Sequence, residues 1–102
     1  MNRGEVWLAQ VGRRTRPVLV LTRPEVIDVR HLVTVAEIST SIRGLAAEVA
    51  LDHHEVGLER ECVINCDGLH TVAKDVLVKR VGAVRGPTMD EVCWAVSYAL
   101  GC

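Results

Sequence analysis

The sequence places a few polar side chains next to apolar runs, at positions where they could act together on a phosphodiester. Arg16 directly precedes one run, and two other runs end in polar residues, Ser39 with Thr40 and Asn65 with Asp67. Strand ends on one rim of a small barrel converge in space, so a guanidinium, hydroxyls and a carboxylate are expected to meet there. The alternative stays open at this point: Arg16 is then a surface residue, and the others only open turns or cap them.

RNA can be cut without a metal when the 2′-hydroxyl attacks the neighbouring phosphorus, which also explains a preference for RNA over DNA. That reaction needs a base, a proton for the leaving 5′-oxygen, and positive charge against the developing phosphorane. Arg16 suits the last role, because a guanidinium carries a fork of fixed donors that matches phosphate. Ser39 or Thr40 can donate to a phosphate oxygen, and Asp67 or His70 could supply the base.

The cysteines and histidines could bind a metal ion or form a nucleophilic pair, but the sequence disfavours both. Cys62 and Cys66 lie four residues apart on a predicted strand, so they are about 13 Å apart and cannot share one zinc ion. A nucleophilic pair of Cys66 with His70 is also disfavoured, since no helix N-terminus follows to lower a thiol pKa. We therefore predict buried thiols, no metal and no cofactor.

Length and composition predict one domain over residues 1–102 with an aliphatic core, because 49% of the residues are apolar and none is Phe. The formal net charge of −1 argues against a general nucleic-acid coat protein. The N-terminus lacks a signal-peptide pattern, and no stretch reaches the length of a membrane span. We expect a cytoplasmic protein with reduced cysteines.

The apolar patterning predicts a mainly β fold. Strands are expected over 4–11, 16–22, 31–39, 46–51, 61–66 and 79–84, with a shorter one possible over 71–74. Pro17 is expected near the first residue of the second strand, and Asp67–Gly68 is expected to form a turn. This pattern favours a small, largely antiparallel β-barrel.

The C-terminal residues predict the only clear helix. Thr88 is expected at its N-cap, with Glu91 completing a capping box, and Gly101 is expected to close it. Trp94 and Tyr98 lie off the core face, and exposed aromatic residues commonly mark interfaces, so we predict a homodimer. The expected core face consists of Met89, Val92, Cys93, Val96 and Leu100.

Five segments, taken in this order, resemble the MazF/PemK toxin family. They are Arg3–Trp7, Arg16–Leu21, Ile38–Ser41, Val63–Asp67 and Val81–Val84. The resemblance covers essentially the whole chain. It implies an SH3-like β-barrel homodimer with a C-terminal helix that cuts single-stranded RNA at short sequences without a metal. It also implies that a cognate antitoxin holds the protein inactive.

By position, the resemblance also implies roles for particular residues. Arg16 matches the family's catalytic arginine, and Ser39 stands where many members carry the catalytic threonine, with Thr40 next to it. Asp67 matches an aspartate that acts as a base in the PemK-like branch. Asn65 stands where that branch has an arginine, so the acid–base scheme is expected to differ here.

RNA is expected to enter along a basic groove. The residues proposed to bind it are Arg13, Arg14, Arg43, Asn65 and His70, beside Arg16. The rival hypothesis is a non-enzymatic, CcdB-like toxin on the same barrel that poisons a protein such as gyrase. A third is a catalytically inactive regulatory module. The protein-binding rival does not need an arginine and a hydroxyl at opposed strand ends.

Overall fold

Six antiparallel strands form one sheet in the order β4-β5-β3-β2-β1-β6, followed by a C-terminal helix. The structure is a computed structural model that describes all residues from Met1 to Cys102. The mainly β prediction with a terminal helix is confirmed. The elements are β1 Glu5–Val11, β2 Arg14–Val20, α1 Pro24–Ile27, β3 Leu32–Ser39, β4 Glu48–Leu51, β5 Cys62–Ala73, a 3₁₀ turn Lys74–Val76, β6 Leu77–Ala83 and α2 Gly86–Leu100.

The sheet is closed into a barrel-like shape by a loop rather than by hydrogen bonds. No ladder joins β4 to β6, the two outer strands. The loop between β4 and β5 instead crosses β6, and its Val56 is fully buried in the core. Gly82 of β6 allows this crossing, since a Cβ there would lie 2.8 Å from the Val56 Cα. The approach is backbone against backbone, which only a glycine permits.

The β1–β2 hairpin begins its second strand earlier than predicted. Val11 pairs with Arg14 across the two-residue turn of Gly12 and Arg13, so Pro17 is the fourth residue of β2 and not its first. Proline is tolerated there because β3 pairs with β2 only from Val18 onward. The first half of β2 therefore has a partner on one side only.

Asp67 and Gly68 do not form the predicted turn, because they lie within β5. The ladder between β3 and β5 shifts register there: Ala36 pairs with Leu69, whereas Glu37 pairs with Asn65. The residues between Asn65 and Leu69 are the extra length of a bulge, in which one strand carries more residues than its partner. A bulge and a turn use the same residue types, so the sequence pattern did not distinguish them.

Both faces of the sheet carry apolar clusters. A cluster of 13 buried residues lies under α2, and a cluster of 7 lies on the opposite face beside α1. Strand β3 alternates between them, with Ala36 and Ile38 in the first and Val33 and Val35 in the second. Burial on both faces gives the central strands their nearly continuous apolar sequence.

Helix α2 begins before the predicted capping box. Its N-cap is Arg85, which makes no side-chain cap hydrogen bond, and Thr88 lies inside the helix. Pro87 explains the difference, because proline fits the first helical turn, where its missing N–H has no partner to lose. Gly101 closes the helix as predicted, with a left-handed φ of 75°. No helix of the chain is long and apolar enough to cross a bilayer.

The buried face of α2 is narrower than predicted. Val92 and Ala95 are buried against the first cluster, whereas Cys93 and Leu100 are exposed, contrary to the predicted core face. A helix that meets a sheet along one stripe buries only its central row, and neighbours one position away turn toward solvent. Trp94 and Tyr98 are exposed and stack with their ring centroids 5.7 Å apart.

Glu5, on β1, ties its own strand to β6 and to the N-terminus. Burial raises the pKa of its carboxyl, but hydrogen bonds outweigh that effect and lower the pKa to about 2. Arg80 donates to Oε2 at 2.6 Å, while the Asn2 backbone N–H at 2.7 Å and the Trp7 indole at 3.1 Å donate to Oε1. The ionised carboxylate therefore holds β1, β6 and the N-terminus together.

We expect Glu5→Gln to destabilise the fold and to flatten its acid dependence. Because the folded pKa lies below the usual 4.5, the stabilisation is present above that pH and is lost as pH falls toward 2. The stabilisation from the ionised Glu5 carboxylate amounts to about 2–3 kcal/mol, because solvent around the half-exposed Arg80 partly screens the pair. Urea unfolding at pH 7 and pH 3 measures it. Glu25→Gln, an exposed carboxylate on α1, is the control, and an equal loss in both variants would contradict the network.

We expect Gly82→Ala to lower the melting temperature, because the new methyl group would clash with the backbone of Val56. Overpacking of this kind costs about 1–3 kcal/mol. Gly86→Ala is the matched control, since a Cβ there meets nothing within 4 Å and the backbone is already helical. Thermal unfolding that is unchanged in Gly82→Ala would show that the loop over β6 does not close the barrel.

Candidate functional site

A groove of about 1060 Å³ opens where β2 and β3 diverge beyond their last paired residues. Its floor is apolar, and its rim carries charged and hydroxyl side chains. The apolar lining includes Ala9, Val18, Val35, Ile38, Leu58 and Val72. The polar lining includes Arg14, Thr15, Arg16, Glu37, Ser39, Thr40, Glu59, Arg60 and His70.

Arg16 and Ser39 line this groove from neighbouring strands. The β2–β3 ladder ends at Val18 opposite Glu37. Continued two residues past this pair, the same register would set Arg16 opposite Ser39. Arg16 is exposed and takes part in none of the three ion pairs of the chain. Its guanidinium is therefore free to meet an anion beside the Ser39 hydroxyl.

The two hydroxyls differ in their surroundings. The Ser39 Oγ accepts a hydrogen bond from the Ser41 backbone N–H at 3.0 Å, which leaves its own proton available to donate. Thr40 follows at the end of β3, is exposed and also lines the groove. Both hydroxyls can therefore donate to an oxygen bound beside Arg16.

The structure brings together about half of the residues predicted from sequence. Those that line the groove are Arg14, Arg16, Ser39, Thr40 and His70. Those that lie outside its lining are Arg13, Arg43, Asn65 and Asp67.

Each of the four outer residues has a clear position in the fold. Arg13 lies in the hairpin turn, and Arg43 lies in a loop where its backbone N–H donates to Glu48 at 3.0 Å. The Asn65 Oδ1 accepts from the Asp67 backbone N–H at 3.1 Å. Asp67 is exposed on the β5 bulge, apart from the rim that carries Arg16.

Sequence reasoning missed a carboxylate in the groove. Glu37 lies on β3 two residues before Ser39, and its Oε1 is 3.1 Å from His70 Nε2. A signal for it was present, because the alternation that gives Ala36 and Ile38 to one face gives Glu37 and Ser39 to the other. Glu59 and Arg60 were also missed, since they lie in a loop without a regular pattern.

The charged side chains on the rim of the groove carry a small net positive charge. Three arginines and two glutamates line the groove, whereas the whole chain has a net charge of −1. Local clustering thus gives the groove a sign opposite to that of the protein. An anionic ligand is favoured there over the rest of the surface.

The cysteines are free thiols, and burial makes two of them weak acids. Burial, with the nearby charge of Asp67 and Cys93, raises the pKa of Cys66 to about 11. Burial and Glu61 also raise the pKa of Cys62, which lines the groove. A protonated thiol is a poor nucleophile, so neither sulfur is suited to attack a substrate. No three His, Cys, Asp or Glu side chains are grouped so as to hold a metal ion.

Known proteins resemble this chain over nearly its full length. A Mycobacterium tuberculosis protein named "Probable endoribonuclease MazF5" is 39% identical over 98% of this chain and 93% of its own. The solved structure of the M. tuberculosis toxin MazF-mt6 is 34% identical with a TM-score of 0.87, covering 95% of this chain and 96% of that one.

A further solved structure is described as an endoribonuclease in complex with its cognate antitoxin, from a mycobacterial species. It has a TM-score of 0.88 at 26% identity and covers 99% of this chain and 95% of that one. A family model also matches, over residues 2–100. With relatives this similar on both sequence and fold, the chain belongs to the PemK-like, MazF-like toxins of type II toxin–antitoxin systems.

Proposed function

We propose that this toxin is an endoribonuclease that cuts single-stranded RNA at short sequences, in the groove that holds Arg16 and Ser39. The family and the full-length relatives named as endoribonucleases support the activity. The observation on which we propose the site is that Arg16 and Ser39, from neighbouring strands, line the same groove. A phosphate between them meets a guanidinium from one strand and a hydroxyl from the other.

The reaction is attack of the 2′-hydroxyl on the adjacent phosphorus, without a metal ion. Arg16 faces the charge that develops on the non-bridging oxygens, where preorganised donors act most strongly. Its guanidinium stays protonated, so it stabilises charge and does not act as the base. Ser39 donates to a phosphate oxygen, with Thr40 as the neighbouring hydroxyl. The products are a 2′,3′-cyclic phosphate and a 5′-hydroxyl end.

RNA binding follows the arginines of the groove and its approaches. Arg14 and Arg60 lie on the rim with Arg16, and each phosphate that they neutralise releases counterions. Arg13 and Arg43 lie outside the lining and are proposed to meet more distant phosphates. Asn65, beside the β5 bulge, is proposed to contact a nucleotide there.

The base is the role for which sequence and geometry differ. Asp67 was the candidate that the family resemblance implied, but it lies outside the groove lining. His70 lies in the lining, on the same face as Arg16. For this reason we propose that Asp67 contacts RNA near the bulge.

Protein poisoning, the rival hypothesis, is not favoured. A toxin that only binds a protein target has no need of a free guanidinium level with a hydroxyl. The full-length relatives are named as RNA-cleaving enzymes and not as gyrase poisons. The same comparison disfavours a catalytically inactive module.

The proposed partners are a cognate antitoxin and a second copy of the chain. A related endoribonuclease has been solved with its antitoxin, and this chain shares its fold. We propose that residues 1–102 form one toxin domain that acts in the cytoplasm, where its RNA substrate lies. The stacked pair Trp94 and Tyr98 is the proposed contact between copies.

We expect the purified toxin to be a dimer at tens of micromolar, because two large aromatic side chains are exposed together on α2. Light scattering measures the mass. Changing Trp94 and Tyr98 to Ser should weaken association, whereas Ser97→Ala, an exposed change on the same helix, should not. A wild-type monomer at this concentration would sink the dimer proposal.

We expect Arg16→Ala to reduce cleavage by about a hundred- to a thousandfold, because losing one preorganised donor costs ~2.7–4 kcal/mol. Lysine should rescue poorly, since a point charge cannot reproduce the two parallel donors. Single-turnover cleavage of a long RNA without divalent metal measures the rates. Because Arg16 is exposed, the melting temperature should hardly change.

The hydroxyls provide a graded comparison in the same assay. Ser39→Ala should cost less than Arg16→Ala if Thr40 donates in its place, and the double change should exceed either single one. Arg23→Ala, an exposed arginine outside the groove, is the matched control. Near wild-type cleavage by Arg16→Ala would overturn the assignment of the site to this groove.

A further inference from the structure

We propose that His70 is the base that takes the proton from the 2′-hydroxyl, and that Glu37 is a positioning residue that holds the imidazole for this task. The inference rests on the proposed RNA cleavage and deepens it at the same groove. It assigns the base to a pair of residues from β3 and β5.

The pair is joined by a direct contact in the groove. Glu37 Oε1 and His70 Nε2 are 3.1 Å apart, and both side chains are about half exposed, at 50% and 53%. A carboxylate that accepts from Nε2–H fixes the tautomer, so the lone pair lies on Nδ1. The imidazole is thus both oriented and reachable by a substrate, as a base must be.

Space for the carboxylate is provided by a glycine. A Cβ at Gly68 would overlap the Glu37 Oε2 and would lie 2.9 Å from Cδ and 3.1 Å from the Asn65 amide nitrogen. Gly68 lies within the β5 bulge, opposite the register shift between Ala36 and Glu37. Any side chain at position 68 would push the Glu37 carboxylate from its present place.

The pair is close enough to serve the phosphate at Arg16 and Ser39. Glu37 precedes Ser39 by two residues on the same face of β3, which is about 7 Å along the strand. Arg16 is the diagonal neighbour of Glu37 across the ladder, a separation that long side chains bridge. Because His70 is hydrogen-bonded to Glu37, its imidazole lies within about the length of one nucleotide of a phosphate bound at Arg16 and Ser39.

Each proton in the reaction is exchanged with His70 or with water, so no other reactant is needed. His70 Nδ1 takes the 2′-hydroxyl proton as O2′ forms its bond to phosphorus, and the bond from phosphorus to O5′ breaks. The leaving O5′ takes a proton from water in the groove, and the imidazolium returns its proton to solvent. Glu37 stays ionised and stabilises the transient imidazolium, the role that a carboxylate has beside a catalytic histidine.

The other charged groups of the groove are arginines and one glutamate. Arg14 and Arg16 face the groove from β2, Glu59 and Arg60 face it from the loop before β5, and β1 contributes no charged side chain to the lining. Only Glu37 makes a side-chain hydrogen bond with His70. Glu37 is therefore the one charged group of the groove that can orient the imidazole.

The test is the single-turnover rate of RNA cleavage as a function of pH, without divalent metal. We expect His70→Gln to lower the rate by about a hundredfold or more and to remove the acidic limb of the profile. Glu37→Gln should lower the rate by about ten- to a hundredfold. The loss should lie in the rate at saturating RNA and not in the affinity for RNA, because Glu37 acts through the imidazole.

Further variants separate positioning from folding. Gly68→Ala should reproduce the Glu37→Gln effect by displacing the carboxylate, with circular dichroism unchanged because the φ of Gly68 lies outside the left-handed region. Affinity for a non-cleavable RNA with 2′-deoxy substitution should change by less than threefold in all three variants. His31→Gln, an exposed histidine outside the groove, is the matched control and should leave rate and profile unchanged.

The outcomes distinguish this inference from the function on which it rests. If wild type cuts RNA but His70→Gln keeps both its rate and its acidic limb, the base assignment is overturned and the endoribonuclease stands. A Glu37→Gln variant that binds the non-cleavable RNA more weakly but keeps the wild-type rate at saturating RNA would overturn the positioning role. If wild type cuts no RNA while Arg16→Ala behaves identically, the proposed function itself fails.

Discussion

The register shift between Ala36 and Glu37 is the constraint on which the groove depends. On one side of it β3 is paired with β5 through Leu69, and on the other through Asn65. The bulge thereby turns Glu37 toward His70 and sets Gly68 beneath its carboxylate. On the opposite edge of β3 the ladder to β2 ends at the same residue. The bulge and the end of the ladder together open the groove.

Contacts near the outer strands of the sheet help to hold the strands around the groove in place. Glu5 binds β1 to β6 and to the N-terminus, while Val56 closes the seam between the outer strands over Gly82. Neither Glu5 nor Val56 lines the groove, but both act on β1 or β6, and β1 pairs with the strand that carries Arg16. A donor that is already in place needs no reorganisation when charge develops in the transition state.

The sequence predicted those parts of the fold that rest on local pattern. Alternation and apolar runs predicted the strands, and the order of Arg16, Ser39 and Thr40 along them predicted one rim of the site.

The predictions that were wrong concern features that depend on contacts between residues distant in sequence. Asp67–Gly68 has the composition of a turn, and only pairing with β3 makes it a bulge. Thr88 has the composition of a cap, but Pro87 lets the helix begin earlier. Glu37 could be placed on a face by alternation, but its contact with His70 arises from that same pairing.

Glu37 is expected to affect RNA binding and the chemical step in opposite directions. A carboxylate on the rim repels the phosphates of RNA, so Glu37 must weaken ground-state affinity in a groove whose arginines supply it. In the proposed reaction, the imidazolium that forms when His70 takes the 2′-hydroxyl proton is stabilised by the same carboxylate. The interaction is thus unfavourable before the reaction and favourable during it. An interaction of this kind raises the rate of the chemical step, whereas further arginines would bind substrate and transition state alike.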